Sequence, residues 1–78
     1  MESYKGYFID GMTVSVHPFS PDWFVAGTVL KPGRFSSIVE VTRFQLLEFT
    51  VDVKELAWWF GLELARMIVD ECLGGNTK

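Results

Sequence analysis

Apolar and polar residues alternate in the first part of the chain in the way that they do in strands. Tyr4–Ile9 is rich in aromatic and β-branched residues, and every second residue from Met12 to Val16 is apolar. A period of two is typical of a half-buried strand. Asp10-Gly11 lies between the two runs, and an Asp-Gly pair in this position favours a type I′ turn. The pattern therefore predicts a β-hairpin that turns at Asp10-Gly11.

The next segments predict further antiparallel strands. Trp23–Leu30 is apolar on both of its faces, which is typical of a central strand or of one whose second face is covered. Lys31–Arg34 contains Pro-Gly and predicts a turn, and Ser36–Thr42 predicts the following strand. Arg43–Phe49 alternates poorly. It either continues that strand past a bulge or forms a short extra strand, so a meander of three or four strands is expected.

The last third of the chain predicts one long helix. It contains no proline and is rich in helix-forming residues. Asp52 is a suitable N-cap, Glu55 lies where it can bond back to the cap, and Gly74-Gly75 supplies a stop. We expect a helix over 52–73. The chain is thus predicted to be one α+β domain over residues 1–78, with disordered ends at 1–3 and 74–78.

The apolar part of this helix is wider than one small sheet needs. At 100° per residue the solvent face of the helix is one narrow arc. This expected solvent face comprises Glu55, Glu63, Arg66 and Asp70, with Trp59 among them. A first apolar arc, expected to cover the sheet, comprises Leu56, Ala57, Phe60, Leu64, Met67 and Ile68. A second comprises Trp58, Gly61, Leu62, Ala65, Val69 and Cys72. The two arcs together span roughly 240°, about twice the width that one sheet would bury.

The second arc is therefore predicted to contact a second polypeptide. The expected interface residues are Trp58, Trp59, Leu62, Ala65 and Val69. Trp59 is included because tryptophan is enriched among interface anchors. Two alternatives stay open. The small residues in this arc could lie over the chain's own sheet, or Arg43–Phe49 and the first hairpin could cover the flank. A two-fold homodimer is the favoured assembly because it is the commonest soluble oligomer.

Composition supports association more than other means of stabilising a small domain. The chain has 78 residues, of which 49% are hydrophobic, and three tryptophans and seven phenylalanines. A chain of this length buries a thin core. Cys72 is its one cysteine and His17 its one histidine, so neither an internal disulfide nor a four-ligand Cys/His zinc site can form. No metal or other cofactor is predicted.

Charge and hydropathy bear on partners and location. The net charge is −3, which disfavours nucleic acid because phosphate binding depends on Lys and Arg. No apolar run approaches the ~20 residues of a membrane span, and no leader pattern is visible. A cytoplasmic protein with a reduced, buried Cys72 is expected.

No group of side chains specifies a reaction. His17 has no Ser, Cys or carboxylate at a diagnostic spacing, and Cys72 follows two acidic residues at a helix C-terminus, which does not activate a thiol. Lys31 and Arg34, with or without Arg43, form a weakly basic edge beside Phe35, a solvated turn rather than an anion site.

The sequence therefore predicts a small non-catalytic, self-associating interaction module. One alternative is an acidic inhibitor or accessory factor that docks on a larger basic partner. Another is a small-ligand-binding protein with a pocket near His17.

Overall fold

A computed structural model describes residues 1–74 as a four-stranded antiparallel meander followed by one helix. The strands are β1 (Glu2–Tyr4), β2 (Tyr7–Ser15), β3 (Trp23–Pro32) and β4 (Ile38–Val51), in the spatial order β1-β2-β3-β4. A short 3₁₀ turn over Arg34–Ser36 connects β3 to β4, and α1 spans Lys54–Cys72. The helix packs against β2 and β3. The predicted α+β class and the meander-then-helix order are confirmed.

The first hairpin turns earlier than the sequence predicts. Tyr4 pairs with Tyr7, and the two residues between them, Lys5 and Gly6, have φ of 51° and 88°. Positive φ at both central positions is typical of a type I′ turn. The predicted turn at Asp10-Gly11 is wrong, because Gly11 lies in the middle of β2 opposite Gly27.

The chain ends differ in part from expectation. Residues 2 and 3 lie in β1, paired with Ile9 and Phe8, so the predicted disorder of 1–3 is wrong for these two residues. The sequence also predicts disorder over 74–78, and of these residues only Gly74 belongs to the described part of the chain. Gly74 has φ of 78°, as a glycine that ends a helix commonly does.

β3 is central, as predicted, and β4 is a single long strand at the edge of the sheet. Arg43–Phe49 therefore continues the strand, which was one of the two expected outcomes. Its pairing with β3 is interrupted twice. Val41 has no partner between the Leu30–Glu40 and Val29–Thr42 pairs, and residues 47–49 have none between the Val25–Leu46 and Phe24–Thr50 pairs. Insertions of this kind are β-bulges, and they explain why the alternation of this segment is poor.

The helix begins two residues later than predicted. Its N-cap is Val53, which makes no side-chain capping bond, so the predicted capping role of Asp52 is wrong. The Ala57 N–H donates to the Val53 carbonyl at 3.0 Å and closes the first turn through the backbone.

The helix contacts the sheet through its small residues. A Cβ placed on Gly61 would lie 1.9 Å from the Ala26 carbonyl oxygen, and one placed on Gly11 would lie 2.2 Å from that of Trp58. Only glycine permits backbones to approach so closely. The buried helix residues are Ala57, Gly61, Leu62, Ala65 and Val69.

The centre of the second arc therefore has the opposite role to the one predicted. Leu62, Ala65 and Val69, expected at an interface with a partner, are 4%, 0% and 0% exposed, and they form the core with Ile9 and Val29. Their side chains are covered by the chain's own sheet. The alternative in which the small residues lie over that sheet is the one that the structure bears out.

The molecule is a thin slab. Its principal extents are 41 × 35 × 17 Å and its radius of gyration is 13.7 Å, whereas a compact domain of this length has about 11.5 Å. The accessible surface of 5323 Å² likewise exceeds the roughly 4,800 Å² typical of a monomer of this mass. One helix on one sheet therefore leaves this chain more open than its length requires.

An apolar groove between the helix and the outer strand

A groove of about 450 Å³ runs between α1 and β4, and we call it the α1–β4 groove. Almost all of its lining is apolar. The lining residues are Phe44 and Leu46 from β4, and Leu64, Met67, Ile68, Glu71 and Cys72 from α1. Glu71 is the one charged residue in this lining. Such a surface can bury another apolar surface, but it offers little for fixing a polar ligand.

The groove exists because the sheet is wider than the helix. Four strands at about 4.8 Å spacing make a sheet about 19 Å wide, whereas a helix with its side chains is about 10 Å across. α1 lies over β2 and β3, so the same face of β4 is only partly covered. Phe44 lies opposite Gly27 and Leu46 opposite Val25. Directly paired residues share a face, so both side chains project to the side on which the helix lies.

The helix contributes a continuous apolar stripe to this side. We define the helix stripe as Leu56, Phe60, Leu64, Met67 and Ile68, which recur at intervals of three and four residues. Leu56 is 41% exposed and Met67 60% exposed. Phe60 makes an edge-to-face contact with Phe49 of β4, with ring centroids 5.9 Å apart, which extends the apolar surface toward the helix N-terminus. The stripe belongs to the arc that was predicted to cover the sheet.

The polar side of the helix is turned toward β1 by a set of ion pairs. Arg66 pairs with Glu2 of β1 and with Glu63. Asp70 accepts hydrogen bonds from Lys5 Nζ at 2.9 Å and from the Tyr4 hydroxyl at 3.0 Å. The charged residues are thus drawn to one edge of the slab.

The ion pairs also shift two titrations. The hydrogen bond from Lys5, and to a smaller extent the one from Tyr4, lowers the pKa of Asp70 below its ordinary value. The same Asp70 contact raises the pKa of Lys5. Both groups are exposed, so these pairs locate the helix edge more than they stabilise the fold.

The two tryptophans predicted at an interface lie away from the groove floor. Trp58 is partly exposed and lines a second groove of about 260 Å³ with Thr13, Lys54 and Glu55, on the β2 side of the helix. Trp59 is about half exposed and contacts Phe60 edge-to-face at 5.4 Å. Trp59 adjoins the helix stripe, and its role as a partner contact stays a prediction.

His17 and Cys72 have ordinary surroundings. His17 is exposed in the β2–β3 connection, where its Nδ1 accepts a hydrogen bond from the Phe19 N–H at 3.2 Å. It lines neither of the two grooves. Cys72 is exposed at the end of α1, where it lines the α1–β4 groove, so the expectation that it is buried is wrong.

The structure separates the cations of the predicted basic edge. Lys31 and Arg34 are exposed near the β3–β4 connection, beside Phe35, which is 97% exposed with φ of 58°. Arg43 lies opposite Thr28 within the sheet and pairs with Glu40 at 2.9 Å. Two cations and one ring remain together, in line with the solvated turn that the sequence predicts.

Within residues 1–74, no three His, Cys, Asp or Glu side chains gather where they could hold a metal ion. The one helix described is not long and apolar enough to cross a bilayer. Comparison of the chain with models of protein families, with curated proteins and with solved structures finds no match.

Proposed function

We propose that this protein is a non-catalytic interaction module that self-associates through the α1–β4 groove and the helix stripe. The observation that carries the proposal is the position of Leu56 and Met67. Both are large, apolar and substantially exposed on a helix that already covers its sheet with other residues. The excess of apolar helix surface that the sequence predicts is therefore present, on the opposite flank.

The area of this surface fits a stable dimer. The members of the surface are the helix stripe with Phe44, Leu46 and Phe49 of β4. At ~180 Å² for each large apolar side chain, the exposed fractions of Leu56, Met67, Leu46 and Phe49 amount to roughly 330 Å². The four half-buried members, Phe44, Phe60, Leu64 and Ile68, add to this area. A standard interface buries about 800 Å² on each partner, and about 65% of a homodimer interface is apolar, which is ~520 Å². The four exposed side chains thus supply well over half of the apolar area that one such interface needs, and the half-buried ones supply more.

The thin core supplies a reason for association. Three of its eight buried hydrophobic residues are alanines, Ala26, Ala57 and Ala65. Alanine contributes little buried area, so the isolated chain gains less from folding than one with a core of leucine and isoleucine. A second chain over the groove would add the missing burial.

The proposal is tested by measuring mass in solution with two matched substitutions. We expect light scattering coupled to size exclusion to give a dimer for the unaltered chain at tens of micromolar. Met67→Lys places a charge in the groove and should give a monomer that keeps its circular dichroism spectrum, because burying an unpaired ammonium is costly. Phe19→Lys makes the same kind of change at an exposed residue of the β2–β3 connection and should leave the dimer intact. A monomeric unaltered chain would refute the proposal.

A further inference from the structure

We infer that the occupant of the α1–β4 groove is a second copy packed face to face, so that two sheets enclose two parallel helices. The helix of the second copy lies beside α1 over β4, and the β4 strand of the second copy covers the outer side of α1. This inference rests on the proposed self-association and specifies its geometry.

The first step is coverage of the sheet. One helix about 10 Å wide covers β2 and β3 and leaves one strand, about 5 Å of the sheet, largely uncovered on the β4 side, and a second helix beside α1 covers that strand. This strand carries Phe44 and Leu46, and the flank of α1 that adjoins it carries Leu64 and Ile68. A helix from a second copy would bring the same apolar flank to this gap, so the surfaces match themselves.

The second step is the outer side of the helix. On a helix that packs on one sheet, the side farthest from the sheet is normally polar. Here Leu56 and Met67 lie roughly 160–180° around the helix from the centre of the buried arc, and the ion pairs of Arg66 and Asp70 hold the polar side toward β1. A partner that only adjoined the edge of the sheet would leave Leu56 and Met67 in water. A second sheet above the helix covers them.

The third step is symmetry. When two such slabs face each other with their helices side by side, the operation that exchanges them is a two-fold axis parallel to the helices. The helices then run in the same direction, and each residue on their line of contact meets its own counterpart. Phe60, Leu64 and Glu71 lie within about 40° of one another around α1 and mark this line.

A dimer formed instead through the edges of the two sheets would place the equivalent helix residues far apart. If two β4 strands paired antiparallel, the sheets would become continuous. The two helices, each lying over β2 and β3, would then be about 19 Å apart. Leu64 and Glu71 would not approach their counterparts.

Disulfide trapping distinguishes these arrangements. Leu64→Cys and Glu71→Cys, each combined with Cys72→Ser, should both form disulfide-linked dimers under mild oxidation, because the parallel contact line brings each position to its own counterpart. Glu55→Cys with Cys72→Ser lies on the polar side and is the matched control. We expect at least several-fold more linked dimer at positions 64 and 71 than at 55. Glu71→Cys alters an exposed residue, so it remains informative if Leu64→Cys disturbs folding.

The outcomes separate this inference from the proposed function. Positions 64 and 71 are about 10 Å apart along the helix, so an antiparallel helix pair can link at most one of them, and that result would overturn the parallel geometry. A dimer by light scattering without linkage at either position would indicate another interface. It would overturn the inference while leaving self-association in place. A monomer by light scattering removes both.

Discussion

Gly61 offers the sharpest test of how the helix packs on the sheet. In an exposed helix interior, replacing glycine by alanine stabilises a protein by about 1 kcal/mol, because glycine is a poor helix former. At Gly61 the added Cβ would lie 1.9 Å from the Ala26 carbonyl oxygen and 3.0 Å from its carbon. Both atoms belong to the backbone of the central strand, so they cannot rotate away.

The expected effect of Gly61→Ala follows from these distances. An ordinary contact needs about 3.4 Å, so the helix must lift from the sheet by roughly 1.5 Å. That movement loosens the packing of Leu62, Ala65 and Val69 on β2 and β3. Overpacking of this kind costs about 1–3 kcal/mol and occasionally more. We expect a net loss of about 2 kcal/mol, a large part of the stability of a domain this small.

Urea unfolding followed by tryptophan fluorescence measures this loss, at one fixed protein concentration because association would contribute to stability. Glu55→Ala is the control, since it alters an exposed residue of the same helix that takes part in none of the ion pairs described above. It should change the free energy of unfolding by less than about 0.5 kcal/mol. A Gly61→Ala variant as stable as the unaltered chain, or more stable, would refute the close packing of α1 on β3.

Two further predictions concern charge. Glu71→Gln should tighten self-association by about 1 kcal/mol, roughly fivefold in the dissociation constant by sedimentation velocity, because parallel helices bring two carboxylates within about 8 Å. No change in that constant would argue against the parallel pair. The pKa of Asp70 is lowered in the folded chain, so its ion pair stabilises the fold above the ordinary carboxyl pKa and this contribution disappears as the pH falls through the lowered value. Asp70→Asn should therefore lower the urea midpoint at neutral pH, and the midpoint of this variant should fall less on acidification than that of the unaltered chain. If the midpoints of the variant and the unaltered chain fell equally with pH, the stabilising ion pair of Asp70 would be contradicted.

The elements that the sequence predicts well are those with a strong local pattern. The long helix and the central strand β3 follow from runs of residues whose periodicity is clear without tertiary information. The hairpin turn is different. Lys5-Gly6 and Asp10-Gly11 are both residue–glycine pairs, and Asp-Gly is the stronger local signal. Gly11 serves the packing of Trp58 on β2 instead, and no local pattern reveals that contact.

The assignment of the helix flanks failed for a related reason. The total apolar width was predictable, because it depends only on residue spacing. Which flank lies on the sheet depends on how closely the backbones approach, and this is decided by Gly11 and Gly27 in the sheet together with Gly61 in the helix. A pairing of glycines on two elements that are far apart in sequence could have indicated the correct flank, had the strand register been known. The strand register is not evident from the sequence, so the prediction that Leu62, Ala65 and Val69 contact a partner is wrong.

The two bulges of β4 limit how regularly its outer edge can pair with another strand. β4 is an outer strand with exposed Ile38, Val39 and Leu47, and a long apolar edge of this kind is a template for strand-by-strand growth into fibrils. The unpaired residues Val41 and 47–49 divide that template into three short runs in continuous register, 38–40, 42–46 and 50–51, the longest of which has five residues. Few consecutive backbone hydrogen bonds are then open to an incoming strand. A sequence rich in exposed aliphatic residues can therefore favour a closed assembly over an open filament.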